Sequence, residues 1–257
     1  MSTEPRPYIL AETNWKAVKE ESYTVAVLPW GATEAHNYHL PYATDNILGE
    51  SVAVEAAKLA WDNLAKVIVL PTIPFGVNTG QLDVSLCINM NPSTQYAILK
   101  DLVFVLNKQN IKKLVIVNAH GGNHFKQMIR ELYVEFPEVF ICAINWWQVE
   151  ESNTHFDDPG EHAGELETSV MMHLTPNLVL QLDQAGDGEA KSFKMQGLKE
   201  GWVTAQRQWT SVTKDTGVGN PNKSTNMKGE RFFNAVASKM AGFFEELHHA
   251  DLENMYE

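Results

Sequence analysis

Four short apolar runs rich in β-branched residues punctuate the first half of a 257-residue chain, at 24–28, 67–70, 114–117 and 139–144. Each is too short for a stable helix and apolar throughout, the texture of a strand buried on both faces. Longer stretches with apolar residues at helical steps lie between them: 47–64, with Leu48, Val52, Ala56 and Leu59 in one stripe, then 94–106 and 124–136. Strand and helix in alternation leave few arrangements open, and the economical one is an α/β fold with a mostly parallel sheet and helices on both sides. A further helix is predicted over 225–247. Ser224 or Thr225 can cap its first turn, and Met227, Phe232, Val236, Met240, Phe243 and Leu247 recur at three- and four-residue steps. From 186 to 221 the pattern is less regular, and alternation around 202–204 and 209–212 predicts a hairpin beside the sheet.

With 44% hydrophobic residues a chain of this length buries a full core, and one domain spanning residues 1–257 is expected. A formal charge of -12 leaves no basic stripe to neutralise phosphates, which argues against nucleic acid as a partner. No apolar run approaches the roughly 20 residues that span a bilayer, and residues 1–7 lack the basic-then-apolar order of a secretion signal. The expectation is a soluble, cytoplasmic protein with no membrane partner. The two cysteines, Cys87 and Cys142, sit in apolar runs and are expected to be small buried thiols, not a bridge or a ligand pair.

Open parallel sheets place their ligands in the crevice beyond the carboxyl ends of the strands, and the polar clusters of this chain fall there. Glu34, His36, His39 and Asp45 follow the first run, with Glu34 and His36 two positions apart, so on extended backbone they face one centre. Residues 74–78, ending in Asn78, follow the second; His120, with Gly121, Gly122 and Asn123, follows the third; Asn145, Trp146 and Trp147 follow the fourth. Glycines after His120 let backbone approach a bound group closely. A third acidic cluster, Glu161, His162, Glu165 and Glu167, precedes an apolar helical stretch with Val170, Met171 and Leu174. Taken alone, those acids read as ordinary helix N-terminal decoration. Carboxylates and imidazoles collected at strand ends read together as a metal site.

Three blocks carry a resemblance: 28–36 with His39, Leu40, Pro41, Thr44 and Asp45; 118–123 around His120; and 162–169. A weaker echo lies in 217–221 with Ser224, Thr225, Lys228 and Gly229. In this order they resemble the creatininase family of metal-dependent amidohydrolases over nearly the whole chain. The resemblance implies a three-layer α/β/α sandwich, a centre of two divalent metal ions and hydrolysis of a carbon–nitrogen bond in a small cyclic or linear amide by hydroxide attack. Carried over position by position, Glu34 and His120 would hold one ion, His36 the other, and Asp45 would bridge them. His162 matches the family's catalytic histidine, with Glu161 placed to orient it. Trp147 and Asn78 are the candidate substrate contacts, and His39 supports the site without ligating.

One departure matters. Creatinine-cleaving members supply a further ligand from a glutamate at the position held here by Gly122, so the missing carboxylate must come from elsewhere, with Glu167 the first candidate and Glu165 the second. Charge supports a third carboxylate, because two divalent cations are balanced by three carboxylates and a bridging hydroxide. Zinc leads among the ions, with manganese or iron also suited to mixed oxygen and nitrogen donors. Residues 75–83 lack the histidine and Pro-Gly-Thr signature of many relatives, which disfavours creatinine itself as substrate. The Gly-Gly-Asn variant at 121–123 looks like that of other branches. They include formamide hydrolases of flavin-type biosynthesis, the mycofactocin precursor peptidase and hydrolases of keto-inositols. Processing of a short peptide, hydrolysis of a cyclic diketone and a non-catalytic metal-stabilised binding role therefore stand as alternatives. Relatives assemble as symmetric rings, so a homo-oligomer, with a hexamer as one form, is the expected assembly.

Overall fold

Four strands, β1 Val25–Trp30, β2 Val67–Val69, β3 Lys113–Asn118 and β4 Phe140–Asn145, form one all-parallel sheet in the order β2-β1-β3-β4. The computed structural model describes residues 5–257; the first four residues of the 1–7 segment discussed above lie outside the described residues. The described residues form eight α-helices, α1 Trp15–Val18, α2 Thr44–Asp62, α3 Pro92–Lys108, α4 Lys126–Glu135, α5 Glu165–Leu174, α6 Gln196–Lys199, α7 Trp209–Val212 and α8 Asn226–His249, of which α2, α3, α4, α5 and α8 supply the layers on the sheet.

Alternation along each strand sorts the core into two layers. Val25, Val27, Val67, Val69, Val115 and Val117 join α2, α5 and α8 on one face, while Ala26, Leu28, Trp30, Ile68, Leu114 and Ile116 join α3 and α4 on the other. Burying each such aliphatic side chain contributes about 2 kcal/mol relative to leaving it in water. Trp30 stacks on Phe125 at 5.1 Å between ring centroids, so a one-residue slip of β1 would drive an indole into the α2 layer. The result is the expected α/β/α sandwich. Within it α8 crosses α5 at backbone distance, because a Cβ on Gly229 would stand 1.9 Å from the Ser169 carbonyl oxygen.

The three β-to-β connections run through α2, α3 and α4. The first leads from β1 to one side, and the second returns past β1 to β3 on its other side. Strand order therefore reverses between β1 and β3, and the loops leaving those two strands splay apart into a crevice.

Three expectations need correction. β4 is an edge strand, with Ile141 buried and its neighbours partly open, because nothing pairs with its outer side among the described residues. No hairpin forms at 202–212. The Trp209 N–H goes to the Gly80 carbonyl at 2.9 Å and the Trp209 indole to the Thr216 carbonyl at 2.9 Å, so that segment leans on a distant loop instead of on a partner strand. Both cysteines are free but only half-buried; Cys142 lies on the open edge strand, where burial still pushes its thiol up to about 12. Among the described residues no helix is long and apolar enough to cross a membrane.

Candidate metal centre

Glu34 and His36 lie on the loop leaving β1, Asp45 is in the first turn of α2, and His120 sits two residues past β3. His162 comes from the loop before α5 and Glu167 from that helix's first turn. The fold brings all six together beyond the β1/β3 switch. Their donor atoms form three sets, each within 4.8 Å: Glu34, Asp45 and His120; His36, Asp45 and Glu167; and Glu34, His36 and His162. Asp45 divides its oxygens between two of these sets, with Oδ1 2.9 Å from His36 Nε2 and Oδ2 3.2 Å from His120 Nδ1.

Each imidazole is fixed by a main-chain oxygen. His36 Nδ1 meets the Glu34 carbonyl at 3.2 Å, His120 Nε2 the Val77 carbonyl at 3.1 Å, and His162 Nε2 the Ala35 carbonyl at 2.9 Å. A carbonyl only accepts, so the proton of each neutral ring sits on that nitrogen and the other nitrogen turns a lone pair toward the carboxylates. Such tethering sets the tautomer and the ring orientation of a metal ligand. The His36 and His162 rings stack at 4.1 Å. His39 lies behind them: its Nε2 pairs with Thr168 Oγ1 at 2.8 Å, and burial together with the neighbouring His36 lowers its imidazole to about 4.

The donor chemistry fits divalent cations. Glu34 Oε1 and Asp45 Oδ2 are buried and take no hydrogen bond, although His120 Nδ1 approaches them to 2.8 and 3.2 Å. Carboxylate oxygens stranded in this way carry a large desolvation cost unless a cation neutralises them. The same crowding governs protonation. Burial pulls the His36 imidazole down, but Asp45, Glu167 and Glu34 override it and hold the ring up to about 10. His120 is likewise raised, with Glu34 and Asp45 prevailing over burial. Asp45 is held well below the carboxylate range because His36 and His120 outweigh burial, whereas burial raises Glu167 against the pull of His36 and His162.

The local backbone decides which glutamate of α5 faces the centre. Ala163, in the left-handed region with φ of 52°, donates its N–H to Glu167 Oε2 at 2.6 Å. Glu165 points away: Lys228 and the Asp158 N–H, at 2.9 Å, occupy its carboxylate. At Gly122 a Cβ would lie 2.3 Å from the Val77 carbonyl and 2.4 Å from the His120 ring, so this backbone has no room for a side chain there. Glu161, expected to orient His162, instead pairs with Arg207 at the rim, and the Ala35 carbonyl does the orienting. The loop carrying His162 is pinned by an antiparallel bridge to Val218, with His162 N–H to the Val218 carbonyl at 2.9 Å and the return bond at 2.8 Å.

A cleft of about 350 Å³ opens over the centre, and Asn78 and Trp147 line it with Glu34, Asp45, His120 and Glu167. Asn78 donates to the Ile88 carbonyl at 3.1 Å, leaving its buried Oδ1 without a partner. Three residues of the site carry no sequence signal. Gln81 donates its amide to Glu34 Oε2, and Arg207 and Trp209 form the outer wall. Gln81 and Arg207 come from irregular segments and Trp209 from the one-turn helix α7, and only their tertiary contacts reveal them.

A parallel α/β/α scaffold with buried carboxylates and imidazoles converging at its strand ends places this protein among the metal-binding α/β proteins. The family profile described as creatininase, creatinine amidohydrolase, matches residues 11–244, and the chain belongs to this family of metal-dependent amidohydrolases. A crystal structure of a Bacteroides fragilis protein described as a candidate creatinine amidohydrolase is 46% identical, covers 100% of both chains and superposes with a TM-score of 0.92. The mycofactocin precursor peptide peptidase of Mycolicibacterium smegmatis is 26% identical over 218 residues, 81% of this chain and 79% of that one. A manganese form of creatininase shares the fold with a TM-score of 0.79 at 20% identity, covering 95% of this chain and 99% of the other.

Proposed function

We propose that the protein is a binuclear metalloenzyme that hydrolyses the carbon–nitrogen bond of a small ring amide, with the whole chain working as one domain. The observation that carries this reading is Asp45, whose two oxygens belong to two separate donor sets. Glu34 and His120 would hold one ion, His36 and Glu167 the other, with Asp45 between them. Zinc is the leading occupant, and mixed oxygen and nitrogen donors also suit manganese or iron. When bound, such ions supply Lewis acidity, lowering the pKa of a water towards about 7 and polarising a carbonyl.

The remaining steps belong to the chain. Gln81 fixes the Glu34 carboxylate through its amide. His162, tethered at Nε2, takes at its free Nδ1 the proton released by the attacking water and passes it to the departing nitrogen, a task suited to an imidazole. The unpartnered Asn78 Oδ1 accepts from a substrate N–H, and Trp147 covers a face of the ring. A homo-oligomer in the cytoplasm belongs to the same reading.

The test measures zinc, manganese and iron in purified protein and in Asp45→Ala, together with hydrolysis of a panel of ring amides. Near-stoichiometric metal and turnover in the wild type, both lost in the variant, are expected; metal content that Asp45→Ala leaves unchanged sinks the reading. A second reading, trimming of a short peptide, is favoured by the named activity of the 26% identical mycobacterial relative. Cleavage of short peptides, with no ring amide cleaved, selects it.

A further inference from the structure

Arg207 is the one lysine or arginine among the residues that line the cleft, which otherwise presents four carboxylates, Glu34, Asp45, Glu161 and Glu167. Its position is built. The guanidinium carbon lies 4.8 Å from the centre of the Trp209 ring, and Trp209 meets the His162 ring edge-on at 5.4 Å. The segment carrying it is held against the opposite loop: the Trp209 N–H donates to the Gly80 carbonyl at 2.9 Å, Thr79 Oγ1 to Gln206 Oε1 at 2.9 Å, and Thr210 Oγ1 to Asp83 Oδ2 at 2.6 Å. A Cβ on Gly80 would fall 2.3 Å from the Arg207 carbonyl oxygen, so the two loops touch at backbone distance. Stacking and pinning together leave the guanidinium little freedom to lose when it binds an anion.

Its partner in the structure is Glu161, in a two-point fork with Nη1 to Oε2 at 3.2 Å and Nη2 to Oε1. The Glu161 side chain is 58% exposed. A pair this open contributes little to stability, and a displaced Glu161 carboxylate simply returns to water. The fork matches any carboxylate equally well.

We propose that Arg207 is the specificity-determining residue of this site, and that the substrates are ring amides bearing a carboxylate on the side away from the reacting bond, which takes the place of Glu161 on the guanidinium. The proposal rests on the amide-hydrolase reading above and deepens it. With the inner carboxylates balanced by the ions they would hold, the outer guanidinium is the cationic side chain left in the cleft to receive an anion. The substrate thus enters in one orientation, neutral amide inward and carboxylate outward, with Trp209 as the spacer between the two ends.

The test uses two probe pairs that differ by one carboxylate: 5-oxopyrrolidine-3-carboxylate against 2-pyrrolidinone, and dihydroorotate against dihydrouracil. Dissociation constants are measured by calorimetry on the zinc-loaded full chain. The carboxylate member of each pair is expected to bind about tenfold tighter, the worth of one charge-assisted fork. Arg207→Gln should bring the pair to parity, Arg207→Lys should keep part of the preference, and Glu161→Gln, which frees the fork, should strengthen it. Equal binding within each pair, no binding of either carboxylate probe at millimolar concentration, or a preference untouched by Arg207→Gln overturns the proposal. So does tighter binding of 3-amino-2-pyrrolidinone that Glu161→Gln abolishes, since the rim would then read cations. Metal content and turnover of Asp45→Ala report separately on the amide-hydrolase reading, so loss of one leaves the other standing.

Discussion

The floor of the cleft and its outer wall are built on opposite plans. Glu34, His36, Asp45 and His120 sit at the ends of β1 and β3 and the start of α2, nearly sealed from solvent, with each imidazole held by a main-chain oxygen. The wall from 186 to 221 has only the four-residue helices α6 and α7 and a 3-10 turn, and is held to other loops by scattered side-chain bonds and isolated main-chain ones. Ion chemistry needs donor atoms fixed to fractions of an ångström, which packed elements provide. Recognition tolerates more play, and loops carried on a rigid scaffold are where it commonly resides.

Substitutions on the two sides should fail differently. The largest effect is expected from Asp45→Ala, which should lose bound metal and lower turnover by about a thousandfold or more; metal analysis beside steady-state kinetics reads both. His162→Gln should cost turnover by roughly a hundred- to a thousandfold with metal content intact. Loss of metal as well would move His162 in among the ligands, as its set with Glu34 and His36 allows. Beneath the floor, Gly229→Val should lower stability by about 3 kcal/mol in urea unfolding, since the new side chain meets the α5 backbone. Chelation should reduce stability by about 2.7 kcal/mol relative to protein held at a hundred times the ion's dissociation constant. That shift should appear in calorimetric melting and reverse on adding zinc. The smallest change is expected from Arg207→Gln. Its exposed pair contributes about 0–1 kcal/mol, so the melting temperature should stay within roughly a degree or two while ligand preference changes. A large fall there would mean that the wall braces the floor.

Much of the floor was legible in the chain. Short runs separated by helical stretches gave the parallel sheet, and Glu34, His36 and Asp45 fall within twelve residues of one another, so their convergence needed only one strand end and one turn. The choice between Glu165 and Glu167 was not legible in full. Two residues apart on a helix point in nearly opposite directions, and which one faces inward depends on Lys228 and the Ala163 N–H, contributed from outside the helix. The wall was misread for a related reason. Alternation near Trp202 and Trp209 imitates a strand, but the Trp209 N–H is taken by Gly80, more than a hundred residues earlier, and no local pattern encodes that. The same holds for Glu161, whose place beside His162 in sequence says nothing of Arg207 across the cleft.

Hanging three imidazoles from peptide oxygens divides the labour of change over evolutionary time. The donors are aimed by the chain's own spine, which every amino acid shares, so neighbouring side chains can be exchanged without turning the rings. A lineage that takes up a new compound can therefore redraft the stretch around Arg207 residue by residue and leave the reactive heart as it was.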